Sequence, residues 1–320
     1  MAYLVGTDEA GYGPNLGPLV ISATVWRVAS LEFTDLYSHL RGVVLPARTK
    51  TRDDRVIVAD SKALYKPGKG LALLERGVLT FLAALDRRPR RWQSIWSALS
   101  ADRADDRAEL PWYRDYDLPL PVDMPENEVA SRAADLCAGC QQANCIPIHM
   151  ESRAIFPRRF NQLVERHGNK ATALSHTTLD LVRSVLRPLP PSEPVYVLCD
   201  KHGGRHRYGS LLQGTFPDTL PIVRHEGRQE SVYQLGVGER RREFIFRAQG
   251  ESFLPAALAS MVSKYLRELA MRAFNDYWIR HVTGLKPTAG YPVDARRFKH
   301  DIGPMQKKLR IADQVLWRSR

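Results

Sequence analysis

The chain has 320 residues, of which 44% are hydrophobic and 26% charged, which is the usual balance of a globular protein. Its 47 lysines and arginines exceed its 35 acids, and the net charge of +12 favours a polyanionic partner, most often nucleic acid, although a solvated basic surface gives the same count. No apolar stretch approaches the roughly eighteen residues of a membrane-spanning helix and no signal peptide is visible, so a membrane partner is not expected.

The chain opens with a predicted strand, a glycine-rich turn and a second strand. The first apolar run ends in two adjacent acids, Asp8 and Glu9. Strand neighbours point to opposite faces, and acids at the end of an apolar strand are costly unless something such as a divalent metal pairs with them. Gly11, Gly13 and Gly17 leave the backbone open to close approach by a phosphate. A surface hairpin with a polar turn would give the same local pattern.

The next segments are a short strand at 56–59, which leads into Asp60-Ser61-Lys62, and a helix over 71–85. The stretch at about 86–127 has the character of an insertion, because arginines alternate there with aromatic residues and prolines. Such a mixture can form a stacking surface for single-stranded nucleic acid. Aromatic residues more often fasten an inserted loop onto the protein body, and we favour that interpretation.

Three cysteines and a histidine have zinc-like spacing: Cys137, Cys140, Cys145 and His149. The first two cysteines fall within a helix predicted over 128–142, and the strand that follows alternates as a core strand would. We therefore do not expect zinc, and buried, reduced cysteines are the simpler interpretation. Reduced cysteines also indicate a cytoplasmic protein.

The second half of the chain supplies two further acids. A helical pattern over 156–186 breaks near 168–169. The next predicted strand ends in Asp200. This acid either belongs to a functional site or caps the turn that follows. Two more strands are predicted on either side of 238–242. The longest helical pattern, 253–283, places Lys264 and Glu268 on one face, where an ordinary ion pair would give the same spacing.

Together, Asp8, Glu9, Asp200 and Glu268 predict a cluster of four carboxylates. Converging like charges raise one another's pKa values unless cations lie between them. Ligands that are all oxygen select Mg²⁺ or Mn²⁺. Two such ions can activate a water and stabilise the departing oxygen of a phosphodiester.

Five segments, in order along the chain, resemble motifs of the type 2 ribonucleases H (ribonuclease HII and its relatives). They are Asp8-Glu9-Ala10-Gly11-Tyr12-Gly13-Pro14 with the strand behind it, Asp60-Ser61-Lys62, the strand 197–200, the helical segment 259–271, and Gly290-Tyr291. The matched regions extend over about two thirds of the chain. The resemblance implies an α/β, RNase H-like fold, with a mixed central sheet flanked by helices and a helical C-terminal part. It also implies a single domain over 1–320, with insertions at about 86–127 and 201–250 and a helical extension at about 284–320.

The resemblance also implies roles for individual residues. The catalytic, metal-binding acids would be Asp8, Glu9, Asp200 and Glu268. The substrate-binding residues would be Gly11, Tyr12 and Gly13 beside the cut, Lys62 and Lys264 at phosphates or steadying the acids, and Tyr291 on a sugar. This sequence departs from the family pattern at Tyr12, where the family has arginine, and at Glu268, where it has aspartate.

The resemblance therefore implies an endonuclease dependent on Mg²⁺ or Mn²⁺, and we expect it to be a monomer. It would hydrolyse the RNA strand of RNA–DNA hybrids, or ribonucleotides embedded in duplex DNA. Two alternatives remain open: a weak or inactive relative that binds nucleic acid, and a two-metal nuclease that acts on a different DNA or RNA structure.

Overall fold

A seven-stranded mixed sheet forms the centre of the computed structural model, which describes residues 1–32, 34–48, 53–100 and 107–319. The strands are β1 (Ala2–Ala10), β2 (Leu19–Val28), β3 (Val44–Leu45), β4 (Val56–Ile57), β5 (Cys145–Ile155), β6 (Val195–Asp200), β7 (Ile222–Glu226), β8 (Glu230–Leu235) and β9 (Arg242–Arg247). The order across the sheet is β5-β2-β1-β6-β9-β8-β7, and β3 and β4 form a separate parallel pair.

Helices cover both faces of this sheet. They are α1 (Leu36–His39), α2 (Ser61–Leu64), α3 (Ala72–Ala84), α4 (Trp92–Leu99), α5 (Pro111–Arg114), α6 (Asn127–Gln142), α7 (Pro157–His167), α8 (Lys170–Leu186), α9 (Gly209–Thr215), α10 (Leu254–His281), α11 (Pro292–Lys308) and α12 (Asp313–Leu316). One apolar core lies on the face covered by α3 and α10, and a second lies on the face covered by α7, α8 and α9. The predicted fold class, a mixed sheet flanked by helices with a helical C-terminal part, is confirmed.

The centre of the sheet places two strand ends side by side. Strand β1 pairs antiparallel with β2 on one side and parallel with β6 on the other, and Thr7 lies opposite Cys199. Because the two strands are parallel and in this register, Asp8 and Asp200 follow at the same edge of the sheet. The hairpin of β1 and β2 and the strand that ends in Asp200 were both predicted, and both are present.

The segment 201–250 contributes to the sheet itself. Strand β9 pairs parallel with β6, and β8 and β7 extend the sheet beyond it. An insertion relative to the ribonucleases HII remains a prediction for this segment, but its strands are integral to the central sheet. The single-domain organisation likewise remains a prediction.

The aromatic residues of the stretch 86–127 are part of the core rather than of a surface. Trp92, Trp96, Trp112 and Tyr113 are at most 3% exposed, and the Trp92 indole donates to the Leu269 carbonyl of α10. This agrees with the interpretation that aromatic residues fasten the segment onto the body. Residues 101–106 of the stretch lie outside the described residues, as does residue 320 of the predicted extension.

Candidate metal centre

Three of the predicted acids come together at the end of β1 and β6. Asp8, Glu9 and Asp200 each offer a carboxylate oxygen, and these oxygens all lie within 4.8 Å of one another. All three side chains are half-buried. We call this group the acidic cluster. Among the described residues it is the only set of three or more acids, histidines or cysteines with such geometry.

The surroundings of the acidic cluster disfavour its charged form. Burial, with Asp200 as a further cause, raises the pKa of Asp8 to about 7. Burial, followed by the charges of Asp8 and Asp200, raises the pKa of Glu9 well above its ordinary value. Converging carboxylates behave in this way when no cation compensates them. The oxygen-only donor set and the mutual repulsion both fit a hard divalent cation such as Mg²⁺ or Mn²⁺.

Two serines on α10 form hydrogen bonds to Asp8 of the acidic cluster. The Ser263 hydroxyl donates to the Asp8 carbonyl at 3.0 Å and also contacts the Ser22 hydroxyl on β2. The Ser260 hydroxyl bonds to the Asp8 carboxylate, which opposes the rise in its pKa, and contacts the Ser61 hydroxyl at 3.0 Å. The Asp60-Ser61-Lys62 segment is thereby joined to the cluster through α10.

Glu268, the fourth predicted acid, lies on α10 but is not part of the acidic cluster. One carboxylate oxygen accepts from the Lys264 ammonium at 2.5 Å, and the other accepts from the Tyr65 hydroxyl at 2.7 Å. The Lys264 ammonium also lies 4.4 Å from the centre of the Tyr65 ring. The side chains of this pair are only 20% and 18% exposed, so they form more than a surface ion pair. Tyr65 was not predicted, because about 200 residues separate it from Glu268 and no local pattern connects the two.

The predicted substrate-binding residues lie on two adjoining segments. Residues 11–18, which we call the glycine loop, follow Glu9 directly, and the Tyr291 ring approaches within 3.8 Å of the position that a Cβ on Gly13 would occupy. Tyr291 is 56% exposed. The Tyr12 ring lies under the Lys170 ammonium at 4.7 Å, and burial followed by the charge of Glu9 raises its pKa.

Lys62 is solvent-facing, with 85% of its side chain exposed, and its positive charge opposes the rise in the pKa of Glu9. It therefore lies close enough to the acidic cluster for their charges to interact.

The glycine loop depends on Gly11. This residue has φ +92°, and a Cβ there would lie 2.5 Å from the Pro18 carbonyl oxygen and 2.9 Å from Cδ of Arg267. A side chain would therefore be strained by both conformation and contact. Arg267, buried on α10, donates to the carbonyls of Pro18, Leu16 and Ala289. Sequence reasoning gave Arg267 no role, although it stands next to Glu268.

The cysteines have separate partners. Cys137 donates to the Ala84 carbonyl and Cys145 to the Ala143 carbonyl, while His149 contacts Glu151 at 3.0 Å. Burial is the largest cause that raises the pKa of Cys140, to about 12. Cys140 and Cys145 are buried, whereas Cys137 is half-buried, and the charges of Cys137 and Cys145 are further causes that raise the pKa of Cys140. The part of the chain that the structure describes contains no helix that is long and apolar enough to cross a membrane.

No protein-family model matches the chain, and no curated protein matches its sequence. Solved structures are similar in fold. Ribonuclease H2 from Pyrococcus horikoshii OT3 is 16% identical with a TM-score of 0.47, over 98% of this chain and 92% of that one. RNase HII from Archaeoglobus fulgidus, solved with PCNA, is 12% identical with a TM-score of 0.43, over 99% and 94%. Bst-RNase HIII, solved with Mn²⁺, is 15% identical with a TM-score of 0.37, over 99% and 66%.

At these identities the likeness concerns the fold alone. The ribonucleases HII and their relatives are also the proteins whose motifs the sequence resembles.

Proposed function

We propose that this protein is a metal-dependent endonuclease that hydrolyses RNA in RNA–DNA hybrids or ribonucleotides embedded in duplex DNA. The observation that carries the proposal is the acidic cluster, in which Asp8, Glu9 and Asp200 present oxygens within 4.8 Å of one another. The metal-binding acids are Asp8, Glu9 and Asp200, with Glu268 as the fourth. Mg²⁺ or Mn²⁺ bound there supplies electrostatic stabilisation of a phosphodiester and an activated water.

The chain's own residues hold the ions and the substrate. Asp8 and Asp200 are rigidly placed because both belong to strands in the middle of the sheet: Asp8 lies two residues before the end of β1 and Asp200 ends β6. Ser260 and Ser263 further limit the freedom of Asp8. The backbone of Gly11 and Gly13 contacts the sugar-phosphate next to the cut. This is where a 2′-hydroxyl, which distinguishes RNA from DNA, would be sensed. The net charge of +12 supports binding to a polyanion.

One observation favours an alternative. Both oxygens of Glu268 already have partners in Lys264 and Tyr65. If this arrangement persists with nucleic acid bound, the protein is a weak or inactive relative that binds without cutting. The two functions make different predictions in a single assay.

The test uses three labelled duplexes, each with Mg²⁺ or Mn²⁺: an RNA–DNA hybrid, DNA with one embedded ribonucleotide, and DNA alone. The variants are Asp8→Asn and Asp200→Asn, with Asp180→Asn as a matched control on α8. Cleavage of a ribonucleotide-containing duplex that only the first two variants abolish supports the proposal. Tight binding without cleavage supports the alternative, and cleavage of DNA alone indicates a two-metal nuclease with a different substrate.

A further inference from the structure

The segment after α12 reaches back to the glycine loop through a buried arginine. Arg318 is 1% exposed, and its Nη2 donates to the carbonyl of Gly11 at 2.6 Å and to the carbonyl of Pro14. Trp317, one residue earlier, forms a β-bridge with Leu16. Arg318 therefore binds the glycine loop although about 300 residues separate the two in sequence.

Two further contacts fix the position of Arg318. Its backbone N–H donates to the Asn15 carbonyl at 2.9 Å, and the Asn15 side chain donates back to the Arg318 carbonyl at 3.1 Å. Its guanidinium lies 4.6 Å from the centre of the Phe160 ring on α7. The backbone of Arg318 is thus held by Asn15, and its side chain lies between the Phe160 ring and the loop carbonyls.

This arrangement is costly. Arg318 and Arg267 are both buried, and among the described residues neither forms an ion pair with a carboxylate within 4.0 Å. Burial and the charge of Arg267 lower the pKa of Arg318 well below its ordinary value. Buried charges without a counter-ion are destabilising. Two such arginines beside the predicted binding loop therefore indicate a role in function rather than in stability.

The two arginines orient the peptide groups of the glycine loop. They draw the carbonyls of Gly11, Pro14, Leu16 and Pro18 inward. In a trans peptide the N–H points opposite to the carbonyl, so the inward carbonyl of Gly11 turns the N–H of Tyr12 away from the guanidinium. The N–H groups of Asn15 and Leu16 already donate to the Gly290 carbonyl, so the Tyr12 N–H is the donor that this argument leaves for a ligand. An outward N–H with fixed positive charge behind it favours an anion in front of the loop.

We propose that Arg318 is a positioning residue. It holds the glycine loop so that the Tyr12 N–H faces a phosphodiester of the bound nucleic acid. This inference rests on the proposed function for the identity of the ligand. The bracing of the loop by Arg318 is independent of that function and can be measured without any nucleic acid.

The first test is hydrogen–deuterium exchange of the peptide that spans residues 11–18, in the free protein. Arg318→Met and Arg318→Lys are compared with Arg187→Met. Arg187 follows the last residue of α8 and is exposed, and it precedes β6, the strand that Asp200 ends, so this variant removes the same charge away from the glycine loop. Exchange in this peptide should accelerate in Arg318→Met and less so in Arg318→Lys, because lysine keeps a cationic donor but cannot place it as the guanidinium places Nη2, which makes both bonds to the loop carbonyls. Arg187→Met should match the unchanged protein. Unaltered exchange in both Arg318 variants would overturn the proposal.

The second test separates positioning from general stability. KM and kcat are measured on the duplex that the unchanged protein cleaves, alongside a Mn²⁺ titration. Arg318→Met should raise KM about tenfold, the effect of losing one hydrogen bond from the loop to a charged phosphodiester, with kcat and Mn²⁺ affinity within about twofold. Partial rescue by lysine supports positioning. A loss of Mn²⁺ affinity, or a fall in kcat at unchanged KM, contradicts it.

The two tests fail in distinguishable ways. If the unchanged protein neither binds nor cuts any duplex, the proposed function is wrong, and the exchange experiment still decides whether Arg318 braces the glycine loop. If Arg318→Met does not fold, Arg318→Lys carries both measurements, since it retains the charge and most of the volume.

Discussion

At the residue scale, burial and neighbouring acids raise the pKa of Asp8 to about 7 and that of Glu9 well above its usual range. Between about pH 4 and pH 7 the folded chain then holds protons that the unfolded chain has released. Stability without divalent ions should therefore fall as the pH rises through this window. We expect calorimetry to record a Tm lower by several degrees at about pH 7 than at about pH 5.

The comparison with Asp8→Asn isolates this effect, because asparagine cannot titrate. The variant should show a shallower decrease of Tm over the same pH range. Mn²⁺ added at about pH 7 should recover the Tm of the unchanged protein and have little effect on the variant. Parallel pH profiles for the two proteins would show that the acidic cluster does not control this dependence.

Tyr65 offers a second prediction at this scale, because its hydroxyl holds one oxygen of Glu268. Partners that orient a metal-binding carboxylate typically contribute about tenfold to a hundredfold in activity. Tyr65→Phe should therefore lower kcat by that factor and leave the first Mn²⁺ bound nearly as tightly, since the acidic cluster is intact. Tyr37→Phe is the matched control, because it removes a similar bond from a hydroxyl to the Val58 carbonyl. Equal effects in the two variants would remove the special role of Tyr65.

Residues differ in how far the sequence could reveal them. Asp8, Glu9 and Asp200 were predictable because each ends an apolar strand, and parallel strands bring such ends together. Arg318 was not, because its role arises from tertiary packing across the whole chain and no local pattern marks it. Glu268 is intermediate: its helical face and its ion pair with Lys264 were predictable, but its bond to Tyr65 and its place outside the acidic cluster were not.

At the element scale, β1 packs closely against α10 at Gly6, two residues before Asp8, and this packing positions Asp8 relative to the helix. A Cβ at Gly6 would lie 2.1 Å from the Ala256 nitrogen and 2.3 Å from the Pro255 carbonyl carbon, so only glycine fits. Gly6→Ala should cost about 3 kcal/mol or more in the free energy of unfolding, since both neighbours are backbone. Urea denaturation measures this cost.

Gly42→Ala is the control for this prediction, because nothing lies within 4 Å of a Cβ at Gly42. Its free energy of unfolding should change by no more than about 0.5 kcal/mol. If Gly6→Ala behaved in the same way, β1 would not be seated on α10 as closely as described. A stable Gly6→Ala protein with impaired activity would instead indicate that β1 shifts and carries Asp8 with it.

Elements with strong periodicity were predicted to within a few residues. Helices α3, α6 and α10 match their predicted spans to within two residues, and the break between α7 and α8 falls at Gly168 as predicted. Strands β1, β2 and β6 are present where strands were predicted. Strand β7 was not predicted, because it lies at the sheet edge with all five residues exposed and shows no burial pattern. The membership of β9 in the central sheet was also missed, since strand pairing over a long separation leaves no local signal.

At the scale of the whole molecule, the net charge of +12 gives binding to nucleic acid a measurable salt dependence. Each phosphate neutralised by a cation contributes a slope of about −0.9 to the logarithmic dependence of affinity on salt. Lys62 is a candidate for one such contact, because its side chain is 85% exposed and its charge acts on Glu9. Lys62→Ala should therefore make the slope shallower by about one and weaken binding to all duplexes alike.

Fluorescence anisotropy in Ca²⁺, over a range of potassium chloride concentrations, measures this slope for the unchanged protein and for Lys62→Ala. The control is Arg187→Ala, which also removes one positive charge, but from the opposite end of the sheet to Asp200. Its slope should equal that of the unchanged protein. If both variants reduced the slope equally, the charge would act as a diffuse field over the whole surface. If only Lys62→Ala reduced it, the nucleic acid lies across the edge of the sheet that carries the acidic cluster.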